Sequence, residues 1–298
     1  MTTERTPEWY AQRRTGICGS DAAAVLGESH WKTPYDIWRS KVYDEPEKDS
    51  EVMYWGRKQE DMIREEYEKQ TGFTVTQPGF ARLESNPIIC GNVDGLTEDR
   101  VVEIKTAQYE WDDDNVPKEY YIQCQHYMLL HGKQRADIAV LFHGNKFKIY
   151  ELEADAELQA LFLPVYEDFW ERVKMQVPPE LTTLSDVKKH YPYDNGNADT
   201  LSPEALRRLQ ELRDCKAKIA ELETIIAADE FFIKDEMCEN QAGLDPDGNI
   251  VVTWKTSKTR TVVDTKELKK QFPNIVMQFE HDAAPSRPFV IKEPKKKK

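Results

Sequence analysis

No stretch of this chain approaches the roughly 20 consecutive apolar residues that a membrane-spanning helix needs, and residues 1–10, MTTERTPEWY, hold no apolar core of the secretory-leader kind. Both absences lead to the expectation of a cytoplasmic chain. Paired cysteines are lacking too. Cys18, Cys90, Cys124, Cys215 and Cys238 stand singly, an odd number without a C-x-x-C pair, which speaks against a disulfide framework and against a zinc or iron–sulfur cluster and leaves reduced structural thiols. Positive charge is in deficit: 41 Lys and Arg face 54 Asp and Glu, a formal net charge of −13. Binding of nucleic acid by overall attraction is thereby excluded, and a nucleic-acid partner would have to be met in a locally basic groove.

What is present is length and apolar content. At 298 residues and 39% hydrophobic, the chain exceeds one average domain and can build a real core. Residues 53–71 carry strong helix formers and end at Gly72, a C-terminal cap. Short β-rich segments follow at 80–83, 88–93 and 101–106, the last two joined by a polar GLTEDR turn that suits a hairpin. Residues 118–131 are predicted helical, between Pro117 and Gly132. The segment DIAVLFHGNKFKIYELE has hairpin chemistry at 143–146, and a helix over 155–175 closes the domain. This order predicts an α/β (α+β) domain with a mixed sheet covered by helices on both faces. We place this catalytic domain at 1–180, a linker at 181–201 containing the polar tract YPYDNGNADT, and an appendage at 202–298. In the appendage, Ser202 and Pro203 start a helix on which Leu212, Ile219, Ile226 and Ile233 recur every seven residues, as either an amphipathic surface helix or a coiled coil. Residues 245–264 are read as a small hairpin, and 295–298, KKKK, as a basic tail.

The chemistry centres on Asn92-Val93-Asp94-Gly95 and Val102-Glu103-Ile104-Lys105. If the flanking segments pair, Asp94 approaches Glu103, and Glu103 and Lys105, two apart, share one strand face. Two carboxylates suit a hard cation, Mg²⁺ or Mn²⁺, which activates water and offsets charge on phosphorus. Lys105 can orient or deprotonate that water, and the Ile104 carbonyl can add a ligand. The same residues equally describe a turn at Asp94-Gly95 and a solvated cross-strand charge pair. On the next helix Glu119, Gln123 and Tyr127 recur at intervals of four, so Gln123 and Tyr127 can reach the cleft, to position a metal water and contact a phosphate or nucleobase of the substrate, or satisfy local backbone instead. Glu60 can add a third carboxylate or remain a solvated helix charge. Arg13, with Arg14 beside it, and Gly19-Ser20 suit a phosphate. Trp31, Tyr35 and Trp38 suit either base stacking or core packing.

Trp55-Gly56 with Glu60, Gly91-Asn-Val-Asp94-Gly95, Glu103-Ile-Lys105, Gln123-x-x-x-Tyr127 and the N-terminal run from Trp9 to Asp21 together resemble the PD-(D/E)XK nuclease superfamily, in its YqaJ-like viral recombinase branch related to phage λ exonuclease. The matches span residues 9–175; Val93 stands where the superfamily has Pro. The resemblance implies a PD-(D/E)XK fold in which Asp94 and Glu103 bind Mg²⁺, Lys105 activates water, Glu60 and Gln123 support the site, and Arg13 and Ser20 grip a 5′-terminal phosphate. It further implies a 5′-to-3′ exodeoxyribonuclease that leaves 3′ single-stranded overhangs for phage-type homologous recombination in a bacterial or phage-infected cell. A ring-like homo-oligomer, such as a trimer, and a single-strand annealing protein as partner are implied as well. The alternatives are a sequence- or structure-directed endonuclease and a catalytically silent DNA-binding scaffold. No role for the appendage is carried over.

Overall fold

In the computed structural model of the protein, the residues described are 6–43, 50–112, 115–283 and 286–292; the tail at 295–298 lies outside them. The chain divides into two compact units, Met1–Tyr191 and Pro192–Lys298.

The first unit runs α1 (Pro7–Arg13), α2 (Gly19–Val25), α3 (Pro34–Val42), α4 (Glu51–Thr71), β1 (Phe80–Leu83), β2 (Asn86–Asn92), β3 (Gly95–Leu96), β4 (Arg100–Ala107), α5 (Lys118–His131), β5 (Arg135–Phe142), β6 (Lys146–Glu153), α6 (Ala156–Met175) and α7 (Leu184–His190). The main sheet has the order β3-β4-β5-β6, with β4 and β5 parallel and both outer pairs antiparallel. The mixed α/β architecture expected from the order of elements is therefore present.

Alternation along β4 fixes its two faces. Val102 and Ile104 pack with Ile63 and Tyr67 of α4 and Ala139 of β5. Val101 points the other way, into the larger core with Ile122 and Met128 of α5 and Ile138 and Val140 of β5. Helix α4 thus covers one face and α5 the other. Both helices stop where glycine permits a left-handed backbone: Gly72 has φ 75° and Gly132 φ 64°. Under the first face, Arg100 holds Asp137 at 3.0 Å and Tyr67 donates to it at 2.6 Å, so the buried carboxylate is paired, as burial demands.

One expectation is corrected in this unit. The segment 88–93 does not pair with 101–106; β2 pairs with β1, from Phe80↔Asn92 to Leu83↔Asn86, and only the two residues of β3 pair with β4. Gly91, at φ 152°, pairs with Ala81 inside this ladder, and Ile17 bridges Ile89 on the free side of β2. Beyond α6 the first unit adds one short helix. Thr183 caps α7 with a capping box to Asp186, whose carboxylate accepts from Thr33 Oγ1 at 2.8 Å, while His190 Nδ1 meets the Tyr35 hydroxyl at 3.0 Å. These polar contacts dock a short helix whose sequence has almost no apolar stripe.

The second unit holds α8 (Pro203–Met237), β7 (Ala242–Leu244), β8 (Ile250–Thr253), α9 (Thr265–Gln271) and α10 (Pro273–Val276). Ser202 Oγ accepts from Ala205 N at 3.1 Å to start α8, and Leu212, Ile219, Ile226 and Ile233 of the seven-residue stripe are all exposed. The hairpin spans 242–253 instead of the expected 245–264: Asp245 accepts from Asp247 N and Asn249 N, making 245–249 the turn between β7 and β8 and leaving 255–264 outside any strand. Among the described residues no helix is long and apolar enough to cross a membrane.

Candidate active site

Because β3 is two residues long, the edge of β4 beyond Val102 lacks a strand partner on that side. Asp94, at the chain's entry to β3, occupies it with a side chain: its Oδ2 accepts from Ile104 N at 2.8 Å. A strand residue sends its N–H and C=O to the same side, so the Ile104 carbonyl faces the same open edge as the Asp94 carboxylate. Glu103 and Lys105 project from the opposite side of the pleat to Ile104, toward α5. Glu103 is 1% exposed. Its Oε1 accepts from Lys105 Nζ at 2.7 Å and from Gln123 Nε2 at 2.5 Å, whereas its Oε2 is buried without a hydrogen-bond partner.

This arrangement shifts the titration of every member. Burial, with the Asp94 charge adding to it, pushes Glu103 up to about 8. Burial likewise raises Asp94, against the pull of Lys105 and the Ile104 N–H. For Lys105 burial opposes the charge, but the carboxylates of Glu103 and Asp94 outweigh it and hold the ammonium above its ordinary range. Glu60 stands across a cleft of ≈ 240 Å³ lined also by Gly56, Arg57, Ile104, Lys105 and Thr106, and burial and Asp94 raise it to about 7. Carboxylates crowded in a dry site resist ionising together unless a proton or a cation intervenes.

The donor set fits a hard divalent cation on an observation of its own: a buried carboxylate oxygen with no donor, beside a second carboxylate and an outward backbone carbonyl. Among the described residues no three His, Cys, Asp or Glu side chains group closely enough to hold a metal unaided, so carbonyl, water or phosphate oxygens must complete the shell.

Gln123 is therefore where the helical spacing put it, on Glu103. Its companions on that face differ. Glu119 Oε1 accepts from His30 N at 3.2 Å. Tyr127, expected to contact substrate, is 2% exposed and donates its hydroxyl to Asn92 O at 2.6 Å; its ring fills the space left by Gly19, where a Cβ would come 2.6 Å from Tyr127 Cζ. Tyr127 is a wedge that positions the strand end before Asp94, not a surface open to DNA. Tyr120, which sequence reasoning passed over, lies beneath Lys105, 5.0 Å from Nζ to the ring centre.

A second cluster gathers the N-terminal residues. Arg13 Nη2 donates to Ser20 Oγ at 2.6 Å and lies 3.5 Å from Asp21 Oδ1. Lys41, from α3, places Nζ 2.6 Å from Asp21 Oδ2 and donates to Arg13 O at 2.8 Å, and Asp21 also accepts from Cys18 N at 3.1 Å. Burial opposes ionisation of Asp21, but Lys41 and Arg13 hold its carboxyl far below the ordinary range. Arg14 is the half-buried C-cap of α1. Lys41 had no signal in sequence beyond a basic residue in the last turn of a helix. Of the three aromatics left open, Tyr35 and Trp38 are core and Trp31 is exposed. Cys18, Cys90 and Cys124 are buried and all five cysteines are free thiols.

With this geometry in place, comparison with known proteins adds kinship. Residues 8–134 match the model of the YqaJ-like viral recombinase domain. The chain is 34% identical over 303 residues to YqaJ of Bacillus subtilis (strain 168), an alignment covering 96% of this chain and 94% of that one. Among solved structures, it is similar to the alkaline exonuclease LHK-Exo from Laribacter hongkongensis (TM-score 0.49, 20% identity, 58% of this chain and 94% of that one) and to a phage related exonuclease from Haemophilus somnus 129PT (TM-score 0.44, 13% identity, 54% and 95%). The near full-length identity to YqaJ and the matched domain decide the assignment: the chain belongs to the YqaJ-like viral recombinase family.

Proposed function

We propose that this chain is a Mg²⁺-dependent exodeoxyribonuclease that degrades linear double-stranded DNA from its 5′ ends and leaves 3′ single strands for recombination, with Mn²⁺ able to replace Mg²⁺. The observation that carries the reading is Glu103, a buried carboxylate held at Oε1 by Lys105 and Gln123 and left unpartnered at Oε2, beside Asp94. Asp94, Glu103 and the Ile104 carbonyl would hold the cation, which supplies Lewis acidity toward phosphate oxygen and a more acidic water. Lys105, raised and therefore cationic, orients the attacking water and offsets charge on the phosphoryl oxygens. Gln123 keeps Glu103 in one rotamer. Glu60, raised to about 7 by burial and Asp94, can exchange a proton with water in the cleft.

Polarity rests on the second cluster. Arg13 and Ser20, with Arg14 beside them, offer a guanidinium fork and a hydroxyl to a terminal phosphate, and fixing that phosphate sets the register of cleavage. Because the net charge is −13, DNA has to be met on a locally basic surface. We further propose a cytoplasmic, ring-like homo-oligomer that hands its product to a single-strand annealing protein, and a nuclease domain followed by a linker and an appendage.

Linear duplex labelled at either the 5′ or the 3′ end tests this directly. With Mg²⁺ the 5′ label should be released early while the 3′ label stays in long strands, and Asp94→Ala or Glu103→Ala should abolish the release. Cutting of covalently closed circles would replace this reading with an endonuclease; no digestion of linear duplex would replace it with a DNA-binding scaffold.

A further inference from the structure

Trp31 is 67% exposed, although Tyr35 and Trp38 from the same segment are 1% and 2% exposed. The Trp31 indole stands in water, and it is held in place. Ser29 Oγ accepts from Trp31 N at 3.2 Å and from Lys32 N at 3.4 Å; His30 N donates to Glu119 Oε1 on α5 at 3.2 Å; and Thr33 opens α3 with a capping box. The loop is thus tied to α5 on one side of the tryptophan and to α3 on the other.

The ring's neighbours give the occupant its chemistry. Trp31 lies 6.4 Å from Tyr120 with 35° between planes, and Tyr120 lies 5.2 Å from Trp111 with 32° between planes. These are inclined, not edge-on, so three rings step inward from solvent. Lys105 Nζ sits 5.0 Å from the centre of the Tyr120 ring, which makes the middle step the floor of the lysine at the active site. A ligand with a flat, uncharged ring joined to an anion would set the ring on Trp31 and the anion at Lys105. A nucleotide within a strand has that form, and base–aromatic stacking tolerates any sequence because every base has a π-face.

We propose that Trp31, backed by Tyr120, is the stacking site for the nucleobase adjacent to the phosphodiester held at Lys105. The proposal rests on the nuclease reading above and adds to it a positioning contact: the base is drawn out of the duplex stack onto the indole, and its phosphate is brought toward Lys105. A platform on a fixed loop lowers the ordering cost of that nucleotide.

The test uses the full chain and duplex carrying 2-aminopurine at the 5′ terminus, with EDTA present so that binding is read without hydrolysis. Wild type should quench the probe; Trp31→Ala should quench less and bind about 5- to 100-fold more weakly, while Trp31→Phe keeps most of the effect. Digestion with Mg²⁺ is measured in parallel on ends with an ordinary or an abasic first nucleotide. Wild type should slow on the abasic end and Trp31→Ala should treat both ends alike. Equal discrimination by wild type and Trp31→Ala, with digestion intact, overturns the stacking site and leaves the nuclease reading standing. Trp31-dependent quenching without any digestion keeps the stacking site and removes the nuclease. Because Trp31 is exposed, unchanged unfolding midpoints in both variants establish that the fold is retained.

Discussion

Gln123 Nε2 donates to Glu103 Oε1 at 2.5 Å, and this bond ties the helix on one face of the sheet to the carboxylate in the middle of the inner strand β4. Groups that orient a metal ligand are typically worth 10- to 100-fold in affinity or activity. Gln123→Met, similar in shape but without the donor, should lower Mg²⁺ affinity or digestion rate by about that factor while leaving the unfolding midpoint nearly unchanged. Mg²⁺ titration of initial rates checks it; a wild-type Mg²⁺ dependence in the variant would show that Lys105 alone suffices to hold Glu103.

Asp21 and Lys41 form the tightest ion pair of the N-terminal cluster, with the lysine side chain 3% exposed. Removing one partner of a buried pair costs about 3–5 kcal/mol, less here because Arg13 still faces Asp21. Lys41→Met should therefore lower stability by about 2–4 kcal/mol at neutral pH. The folded pKa of Asp21 is depressed, so its contribution is present above the unfolded value of about 3.9 and is lost as pH falls below it. Urea midpoints of wild type and Lys41→Met should converge as pH drops from about 5 toward about 3; a constant gap would assign the loss to packing instead.

How much of this was legible in the sequence follows from which forces are local. Helices α4, α5 and α6 and the β5–β6 hairpin were readable because caps, glycines and apolar spacing lie within each segment. The spacing of Glu103, Lys105 and Gln123 was readable for the same reason: strand and helix periods put them on particular faces. The β1–β2 pairing was not, since strand partners are chosen by contacts outside each segment and the polar turn after Asp94 suits a hairpin with β4 equally well. Helix α7 docks through hydrogen bonds to Thr33 and Tyr35, about 150 residues away, a partnership that no local pattern encodes. Lys41 and Tyr127 owe their roles to burial, and a lysine in a last helical turn or a tyrosine on a half-buried helix gives no sign of it.

Gly19 and Tyr127 offer a test of the packing that joins the two clusters. A Cβ at Gly19 would lie 2.6 Å from Tyr127 Cζ, in a buried helix start that also carries Ser20. Overpacking of this kind costs about 1–3 kcal/mol, so Gly19→Ala should destabilise by that amount, and the double variant with Tyr127→Leu should recover part of the loss. Tyr127→Phe removes the donor to Asn92 O and should cost about 1–3 kcal/mol through an unpaired buried carbonyl. Additive losses in the Gly19→Ala, Tyr127→Leu pair would mean that the two residues are not in contact.

Glu60 and Glu103 each add a downward slope with pH to the stability of the metal-free protein. Their folded values are raised to about 7 and about 8, against about 4.3 in the unfolded chain. Between those limits the folded state binds protons that the unfolded state has released, so stability falls as pH rises through the window and levels off above it. A divalent cation replaces those protons and must compete with them at the lower end, so its stabilisation grows with pH. In EDTA the unfolding midpoint should decline from about pH 5.5 to about pH 8.5, and the increment from Mg²⁺ should widen over the same range. Glu103→Gln, neutral at every pH, should flatten the decline and remove most of the Mg²⁺ increment together. An Mg²⁺ increment of equal size at both ends of the range would place the cation away from these carboxylates.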